Sequence, residues 1–550
     1  MVRVTKATLW RLAAAATSAV LMWSAFASRG EAMNVCFALA PMLLLSRVSP
    51  RRVSARWWFV SGLGFWLATL SWMPAIVKNG GPWPLVALGW GALAAYCALF
   101  HGLYGWLLVF AREALAGRRG ARAALLLLVE PVLWAFLEWA RGNLFGGFAW
   151  NFLGVAAAEV PVCASPASLG GVYLVSFFVL LVNGVIATVA ERAIGPMLGR
   201  PRAERTFLAR FRRALETGVP LALTLAGIAA AGFQSPTLCK GWLQLRVALV
   251  QRDFPCVFQP GGATDPFEVY TRLLSTAALA NPQLTVFSES AMNEFGRARS
   301  RGAVDALAAI RERTGLRGYV LAGADDRVET NGATRVYNAA ALYPEQGAIQ
   351  VYHKQHRVPF GEFIPLDKVF PALQKLAPVG SLHPGEPKLL DLEVRDGEEG
   401  ASWKLRLAPL ICYEDTDSDL ARRAARDGAN LFAFITNDSW FSESAETVQH
   451  FRQSVLRCVE TGRFAVRTGN SGVTAVIYPS GRYAALSDAN DRFLVDAAGA
   501  MTHTIRFPCC NPTRPIMRTT LYTRCGDVPL LTVSGLLLFS IFALAWRRRV

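Results

Sequence analysis

Leu405-Arg-Leu-Ala-Pro-Leu-Ile-Cys412-Tyr-Glu414-Asp415 is an apolar run that stops on a cysteine and two carboxylates. A run this short between polar residues reads as a buried strand rather than a helix. The helical pattern Ser418–Ala425 follows it, then a second apolar strand, Leu431–Thr436, and a second helix, Glu446–Thr461. Upstream the same alternation recurs: strand Leu245–Val250 and helix Phe267–Ala280, strand Leu284–Phe287 and helix Ala303–Thr314, then strand Tyr319–Ala322. Strands alternating with helices predict a layered α/β domain, here spanning residues 239–527.

The rest of the chain is of a different kind. Over 550 residues, 53% are hydrophobic and only 18% charged, with a mean hydropathy of +0.29, whereas soluble domains carry roughly 25% charged residues. The excess lies before residue 239 and after residue 527. Apolar segments run from Trp10 to Ala27, Met33 to Leu45, Trp57 to Ile76, Trp83 to Phe110, Ala123 to Trp139, Pro166 to Ala190, Val219 to Phe233 and Val528 to Trp546. They are long enough, or nearly so, for a bilayer core of about 30 Å; the shortest, Met33–Leu45, has a buried or re-entrant segment as its alternative, and the parity of the basic clusters favours its crossing. Residues 1–238 are therefore expected to hold about seven transmembrane helices, and residues 528–550 one more with a basic tail.

The net charge of +17 could indicate a nucleic-acid ligand, but its placement indicates topology. With the N-terminus inside, the inner gaps hold Arg3, Lys6 and Arg11; Arg47, Arg51, Arg52 and Arg56; Arg112, Arg118, Arg119 and Arg122; Arg192 to Arg213; and the tail Arg547–Arg549. The outer gaps up to residue 238 hold only Arg29, Lys78 and Arg141. This is the positive-inside bias, and it places the α/β domain on the outer side of a cytoplasmic membrane, with no nucleic-acid partner. The first span also resembles a secretory signal, ending in Ala25-Phe26-Ala27.

Ligands of α/β sheets bind beyond the carboxyl ends of strands, and three such ends carry reactive side chains. Leu284-Thr-Val-Phe-Ser-Glu289 ends in a carboxylate. Val351-Tyr-His-Lys354-Gln-His356-Arg-Val-Pro-Phe-Gly-Glu362 closes a strand with a lysine and adds a second carboxylate. The third end is Cys412. Each alone has an ordinary explanation: a helix-start acid, a solvated lysine, an inert buried cysteine. Together they make a nucleophile (Cys412), a base (Glu289) and a cation for a developing oxyanion (Lys354).

The order Glu289, Lys354, Cys412, with Asn437-Asp438-Ser-Trp440-Phe441 and Arg467-Thr-Gly-Asn470-Ser-Gly472 downstream, resembles the carbon-nitrogen hydrolase (nitrilase) superfamily. The pieces His356–Pro365, Ile411–Glu414, Gly142–Gly154 and Leu521–Asp527 narrow the resemblance to the apolipoprotein N-acyltransferase family, over nearly the whole chain. The resemblance implies an αββα nitrilase-like domain outside the cytoplasm beside a multi-pass helical domain. It implies that Cys412 takes an acyl chain from a membrane phospholipid as a thioester and passes it to the N-terminal amine of a diacylglyceryl apolipoprotein. Glu362, Tyr413, Glu414, Asn437 and Trp440 are the expected supporting residues, and no cofactor or metal is implied. Departures from the family pattern are Ser288, Ser442, Ala149 and Phe258-Gln-Pro260.

Two lipid substrates give the spans a reason to exist, since lifting an acyl chain out of the bilayer costs about 0.8 kcal/mol per methylene. Phe360, Phe363, Tyr413, Trp440 and Phe441 suit a lipid-facing mouth or, equally, a domain core. Glu130, Glu138 and Arg141 lie at membrane depth, where ionisable groups face protein or a cavity; Glu138 and Arg141 are expected to support the floor of a substrate cavity. The six histidines include one close pair, His353 and His356, with no third ligand nearby, so a metal site is not expected. His450, on a helix with no evident orienting partner, is a poor candidate for a cysteine–histidine dyad. The ten cysteines contain no Cys-x-x-Cys, and Cys509, Cys510 and Cys525 fall where disulfides are permitted. A membrane-anchored amidase is the nearest rival function, and a non-catalytic scaffold or transporter the more distant one.

Overall fold

The computed structural model describes residues 5–27, 31–118, 120–194, 207–232, 239, 241–254, 265–330, 332–364, 371, 381–395, 402–441, 444–511 and 513–548. Arg3, Arg29, Arg119, Phe258, Pro260, Ser442 and Arg549, and residues 195–206, lie outside them. The chain forms two compact units. One comprises Met1–Pro74, Val86–Gln234 and Cys525–Val550, and the other Ala75–Leu85 and Ser235–Arg524.

In the α/β unit the strands in chain order are β1 (Gly241–Gln251), β2 (Leu284–Phe287), β3 (Tyr319–Thr330), β4 (Ala333–Tyr343), β5 (Gln350–His353), β6 (Leu390–Arg395), β7 (Ser402–Ile411), β8 (Leu431–Asn437), β9 (Phe464–Asn470), β10 (Ala475–Ile477), β11 (Tyr483–Ala485), β12 (Gly499–Asn511) and β13 (Arg514–Pro515). They make two sheets, ordered β13-β12-β1-β2-β3-β4-β5 and β11-β10-β9-β8-β7-β6. The parallel neighbours β1-β2-β3 and β7-β8-β9 are joined by helical crossovers, as parallel pairing requires.

Strand periodicity sorts the side chains into two cores. Leu243, Leu245, Val247 and Leu249 of β1 meet Leu405, Leu407 and Ile411 of β7 and Leu431, Ala433 and Ile435 of β8 between the sheets. Ala248 and Val250 point the other way and pack with Tyr270 and Leu274 of helix Pro266–Ala277 and Leu307 and Ile310 of helix Arg301–Thr314. Helices Ser418–Arg426 and Glu446–Thr461 contribute nothing to the inter-sheet cluster. The layering is thus helix, sheet, sheet, helix.

Among the described residues, six helices reach membrane-crossing length and apolarity: Lys6–Phe26, Arg51–Asn79, Trp83–Leu115, Ala167–Ala193, Ala214–Gly232 and Val528–Trp546. The expected spans at Met33–Leu45 and Ala123–Trp139 are helical but interrupted. The first breaks at Leu39 between Val35–Ala38 and Ala40–Val48. Buried Asn183 repairs the break: its Oδ1 accepts from Leu39 N at 2.8 Å and Ala40 N at 3.1 Å, and its Nδ2 donates to Val35 O at 2.9 Å. Non-helical backbone in a bilayer needs such internal partners. The second runs from Ala121 to Asn143 with a π-helical turn at Leu125–Val129. Pro131 follows it; lacking an N–H and clashing with the carbonyl one turn back, it accounts for the widened turn.

All three ionisable residues singled out at membrane depth are buried. Glu130 pairs with Arg47 at 3.1 Å. Glu138 accepts from Trp134 Nε1 at 2.9 Å and Leu153 N at 2.7 Å. Arg141 donates to Phe148 O and Trp150 O at 2.7 and 2.9 Å and lies over the rings of Trp66 and Phe152. Glu138 and Arg141 thereby anchor the loop 144–153, and both line a small cavity within the helical unit together with His101 and Asn151.

Leu407 is fully buried between the sheets, and truncating such a leucine costs about 2–5 kcal/mol. Leu407→Ala is expected to lower the thermal midpoint of the α/β unit, read by a melt of the detergent-solubilised chain, while the oligomeric profile on gel filtration stays unchanged.

Candidate active site

The two sheets end side by side, and three strand ends supply the reactive groups. β2 leads through Ser288 to Glu289, β5 leads directly to Lys354, and β7 leads directly to Cys412. Close backbone approach fixes the first of these turns. A Cβ on Gly323 of β3 would lie 2.5 Å from Glu289 Cα, and Gly323 N donates to Ser288 O at 3.1 Å. Only a glycine leaves room there.

Lys354 is 1% exposed. Its Nζ sits 3.0 Å from Glu362 Oε1 and 3.9 Å from Glu289 Oε1. A third group ties the two carboxylates together: Asn338 Nδ2 donates to Glu289 Oε1 at 2.7 Å and to Glu362 Oε1 at 2.8 Å. The backbone carbonyl of Asn338 also accepts from Lys354 N at 2.8 Å. Asn338 was not among the residues expected from the sequence. Glu362 is further held by Val358 N at 2.8 Å.

These contacts set the charges. Burial alone would lower the lysine, but the attraction of Glu362 and Glu289 outweighs it and keeps Lys354 protonated above its usual range. Burial pushes Glu289 above the ordinary carboxylate value, against the pull of Lys354, and Glu362 adds to the push. Glu362 is held below that value, because Lys354, Asn338 and Val358 N together outweigh its burial. The Cys412 thiol is pushed well up by burial and by Glu289, with Lys354 opposing. The resting sulfur is therefore a thiol, and an acceptor must take its proton before it attacks.

Cys412 has φ = 53°, a left-handed conformation that a non-glycine residue holds only when its surroundings impose it. It opens the short 3-10 turn Cys412–Thr416, and Glu414 in that turn is wholly buried. The Glu414 carboxylate accepts from Ile411 N at 2.8 Å, Gln355 N at 2.6 Å, His356 N at 3.1 Å and the Tyr352 hydroxyl at 3.0 Å. It clasps the residue before Cys412 to the residue after Lys354. Burial raises this carboxyl to about 7, against the pull of those backbone donors.

The remaining expected residues divide by role. Asn437 Oδ1 accepts from Ser439 Oγ at 2.6 Å and Asn470 Nδ2 at 2.9 Å, and Asn470 in turn bonds both backbone groups of Phe254; it shapes the rim. Tyr413 is half-buried and meets His356 edge to face at 5.4 Å. Trp440 is half-buried, and its carbonyl accepts from Asn79 Nδ2 at 3.1 Å. Phe360 is 56% exposed, while Phe363 and Phe441 are half-buried. None of the five aromatics belongs to either of these two core clusters.

The description of His450 as lacking an orienting partner is corrected. Its Nδ1 lies 3.0 Å from Asp438 Oδ1 and its Nε2 2.9 Å from Asp415 Oδ1. Both nitrogens are thus occupied by carboxylates, and Nε2 also lies 3.3 Å from the Cys412 carbonyl oxygen. The partners sit on turns far away in sequence, which is why helix periodicity could not find them.

Residues 18–185 match the family described as the apolipoprotein N-acyltransferase N-terminal domain, and residues 287–501 match the carbon-nitrogen hydrolase family. An apolipoprotein N-acyltransferase of Geobacter metallireducens is 30% identical over 472 residues, covering 84% of each chain. That of Ralstonia nicotianae is 29% identical, over 93% of this chain and 89% of its own. That of Methylococcus capsulatus is 30% identical, over 87% and 88%. Among solved structures, an amidase from Nesterenkonia sp. aligns with 20% identity and a TM-score of 0.34, covering 54% of this chain and 99% of its own. By these relatives, which span most of its length at about a third identity, the chain belongs to the apolipoprotein N-acyltransferase family.

Proposed function

We propose that the protein transfers a fatty acyl group from a membrane phospholipid to the N-terminal amine of a diacylglyceryl apolipoprotein, through a thioester on Cys412, at the periplasmic face of the bacterial inner membrane. In this reading residues 239–527 carry the chemistry, and residues 1–238 and 528–550 bring it to the bilayer. The observation that carries it is that Glu289, Lys354 and Cys412 follow the ends of β2, β5 and β7, with Lys354 3.9 Å from Glu289, in a chain whose described residues include six membrane-length helices.

In the first half-reaction Glu289 accepts the Cys412 proton and the sulfur attacks the ester carbonyl. Lys354 faces the oxyanion; in a buried site such a cation is worth far more than in water. Collapse expels the lysophospholipid alkoxide, which recovers the proton from Glu289. In the second, the amine of the acceptor attacks the thioester, Glu289 takes the amine proton, and the thiol leaves with it. Glu362 keeps Lys354 charged throughout. Phe360 and the half-buried aromatics form an apolar mouth for the chains, and Glu138 and Arg141 support a cavity of the helical unit by fixing the loop 144–153. An amidase would share every one of these groups but would pass the thioester to water.

Intact mass after incubation with phosphatidylethanolamine, without acceptor, separates these readings. The expected result is a fatty-acyl increment on the wild-type chain, released by hydroxylamine and absent from Cys412→Ala; no increment, with lipid unconsumed, sinks the phospholipid-donor reading.

Lys354→Met, which keeps the stem and deletes the charge, is expected to slow thioester formation by about 10²–10³-fold, the usual effect of losing one oxyanion donor. A second expectation concerns pH. Glu289 works ionised, so acyl transfer falls as pH drops through its raised value. Asn338→Leu removes a donor that favours the ionised form, so the acid limb of the pH profile moves to higher pH; an unmoved limb would count against Glu289 as the base. Gly323→Ala, whose added methyl would press on the Glu289 backbone, is expected to cut the rate sharply by displacing the Glu289 turn, with the melt showing the chain still folded.

A further inference from the structure

Behind Cys412 lies a buried cluster of charge that the acyl-transfer scheme does not use. It is assembled from four places in the sequence. Asp415 comes from the turn after β7, Asp438 with Thr436 from the end of β8, Arg467 from β9, and His450, Glu446, Ser454 and Arg457 from helix Glu446–Thr461. Every residue of that helix is buried, polar ones included.

The contacts fix the protonation of the histidine ring. Nε2 faces the Asp415 carboxylate at 2.9 Å and the backbone carbonyl of Cys412 at 3.3 Å. Nδ1 faces Asp438 Oδ1 at 3.0 Å and Glu446 Oε1 at 3.5 Å. A peptide carbonyl only accepts. Asp415 accepts too, its Oδ2 taking Arg467 Nη1 at 2.8 Å and Ser454 Oγ at 2.6 Å. Asp438 likewise accepts, from Arg467 Nη2 at 3.2 Å and from the Thr436 hydroxyl. With acceptors on both sides, both ring nitrogens must donate. Two cations, His450 and Arg467, then balance two anions, Asp415 and Asp438, while burial and the neighbouring carboxylates raise Glu446 toward its neutral form. Arg457 answers Glu460 at 2.8 Å and donates to the Asp415 and Thr416 carbonyls, so it adds no unbalanced charge. The ligand atoms of Asp438, Glu446 and His450 lie within 4.8 Å of one another, as around a metal ion. Here Arg467, 3.2 Å from Asp438, and the second ring proton already put positive charge in that place.

We infer that His450 is a positioning residue for the nucleophile: its imidazolium keeps both ring protons across the working pH range and, through Nε2, holds the Cys412 carbonyl, fixing Cys412 in its left-handed conformation. The step rests on Cys412 as nucleophile, but the charge state does not. The contact reaches the reacting residue through its own backbone, so His450 touches no substrate. An untitrating cation cannot be a proton shuttle, which leaves Glu289 as the exchangeable base beside the thiol.

Two measurements test this. Hydrogen exchange at imidazole C2, followed by mass spectrometry on the His450 peptide of the folded full-length chain, reports ring protonation directly. The expected profile has no inflection between pH 5 and 9, whereas the same peptide in denaturant inflects near about 6.5; an inflection in the folded chain overturns the fixed charge. The second uses paired substitutions. Gln places its amide nitrogen near Nε2 and Asn near Nδ1, so His450→Gln can still reach the Cys412 carbonyl and His450→Asn cannot. Thioester formation from phosphatidylethanolamine is expected to fall on the order of 100-fold in His450→Asn, as for a small misplacement of a reacting group. His450→Gln should retain most of the rate, and the lipid concentration for half-maximal rate should hold in both. Equal rates in the two variants, whether reduced or not, overturn the carbonyl contact. If the wild type forms no thioester, the proposed function fails, and the exchange profile still judges the imidazolium.

Discussion

The site depends on one carboxylate. Packing between two sheets is driven by burial of apolar surface, which is strong but non-directional, and neither ladder of hydrogen bonds crosses from one sheet to the other. Directional contacts between the sheets come from side chains, Gln350 with Asp391 and Thr474 with Gln251 among them. At the reactive ends Glu414 supplies one, because hydrogen bonds have direction. Its oxygens take backbone N–H groups from Ile411 at the end of one sheet and from Gln355 and His356 at the end of the other. The span between Lys354 and Cys412 is therefore bridged by this side chain, with His356 and Asp417, 3.2 Å apart, adding a second tie. Glu414 reaches both because it sits three residues past Ile411, in a turn tight enough to bring its side chain back.

The charges around it follow a common logic. Each buried ion has a partner, and each partner has a further one. Lys354 lies between Glu362 and Glu289, both carboxylates share Asn338, and Asn338 accepts Lys354 N through its own backbone. Burying a charge without such partners costs several kcal/mol. The closed ring of contacts permits a charged lysine, an ionisable base and a neutral thiol to share a dry volume, with the base held above its usual range, where it can both take and return a proton.

Much of this was legible in the sequence, and the part that was not has a physical reason. The strands β2 and β8 and the helix Glu446–Thr461 stand out because each is a short apolar run or a clear period. Glu289, Lys354 and Cys412 could be found because each follows such a strand. β4 escaped notice: Asn338-Ala-Ala-Ala-Leu-Tyr343 is buried on both faces, so it shows no alternation, and alanine carries no strand preference. Asn338 was lost with it. His450 was misjudged for another reason. Its helix looks amphipathic, which normally predicts a solvated polar face, yet that face is buried against carboxylates from β7 and β8, and such partners are visible only once the turns are folded together. In the membrane half, the span lengths anticipated most helices but not the break at Leu39, which stands because Asn183, far along the chain, supplies the missing hydrogen bonds.

The catalytic unit is not one continuous length of chain. Residues Ala75–Leu85, which span the end of one membrane-length helix and the start of the next, group with it, and Asn79 of that segment bonds the Trp440 carbonyl. Excising residues 239–527 would therefore leave Trp440 without the Asn79 contact. For the same reason, insertion or deletion in the loop joining those two helices acts on the site as directly as a change beside Trp440 itself. The two halves of such a chain are tied by shared structure as well as by peptide bonds, and a lineage that exchanged the membrane half for another would have to carry this short segment with it.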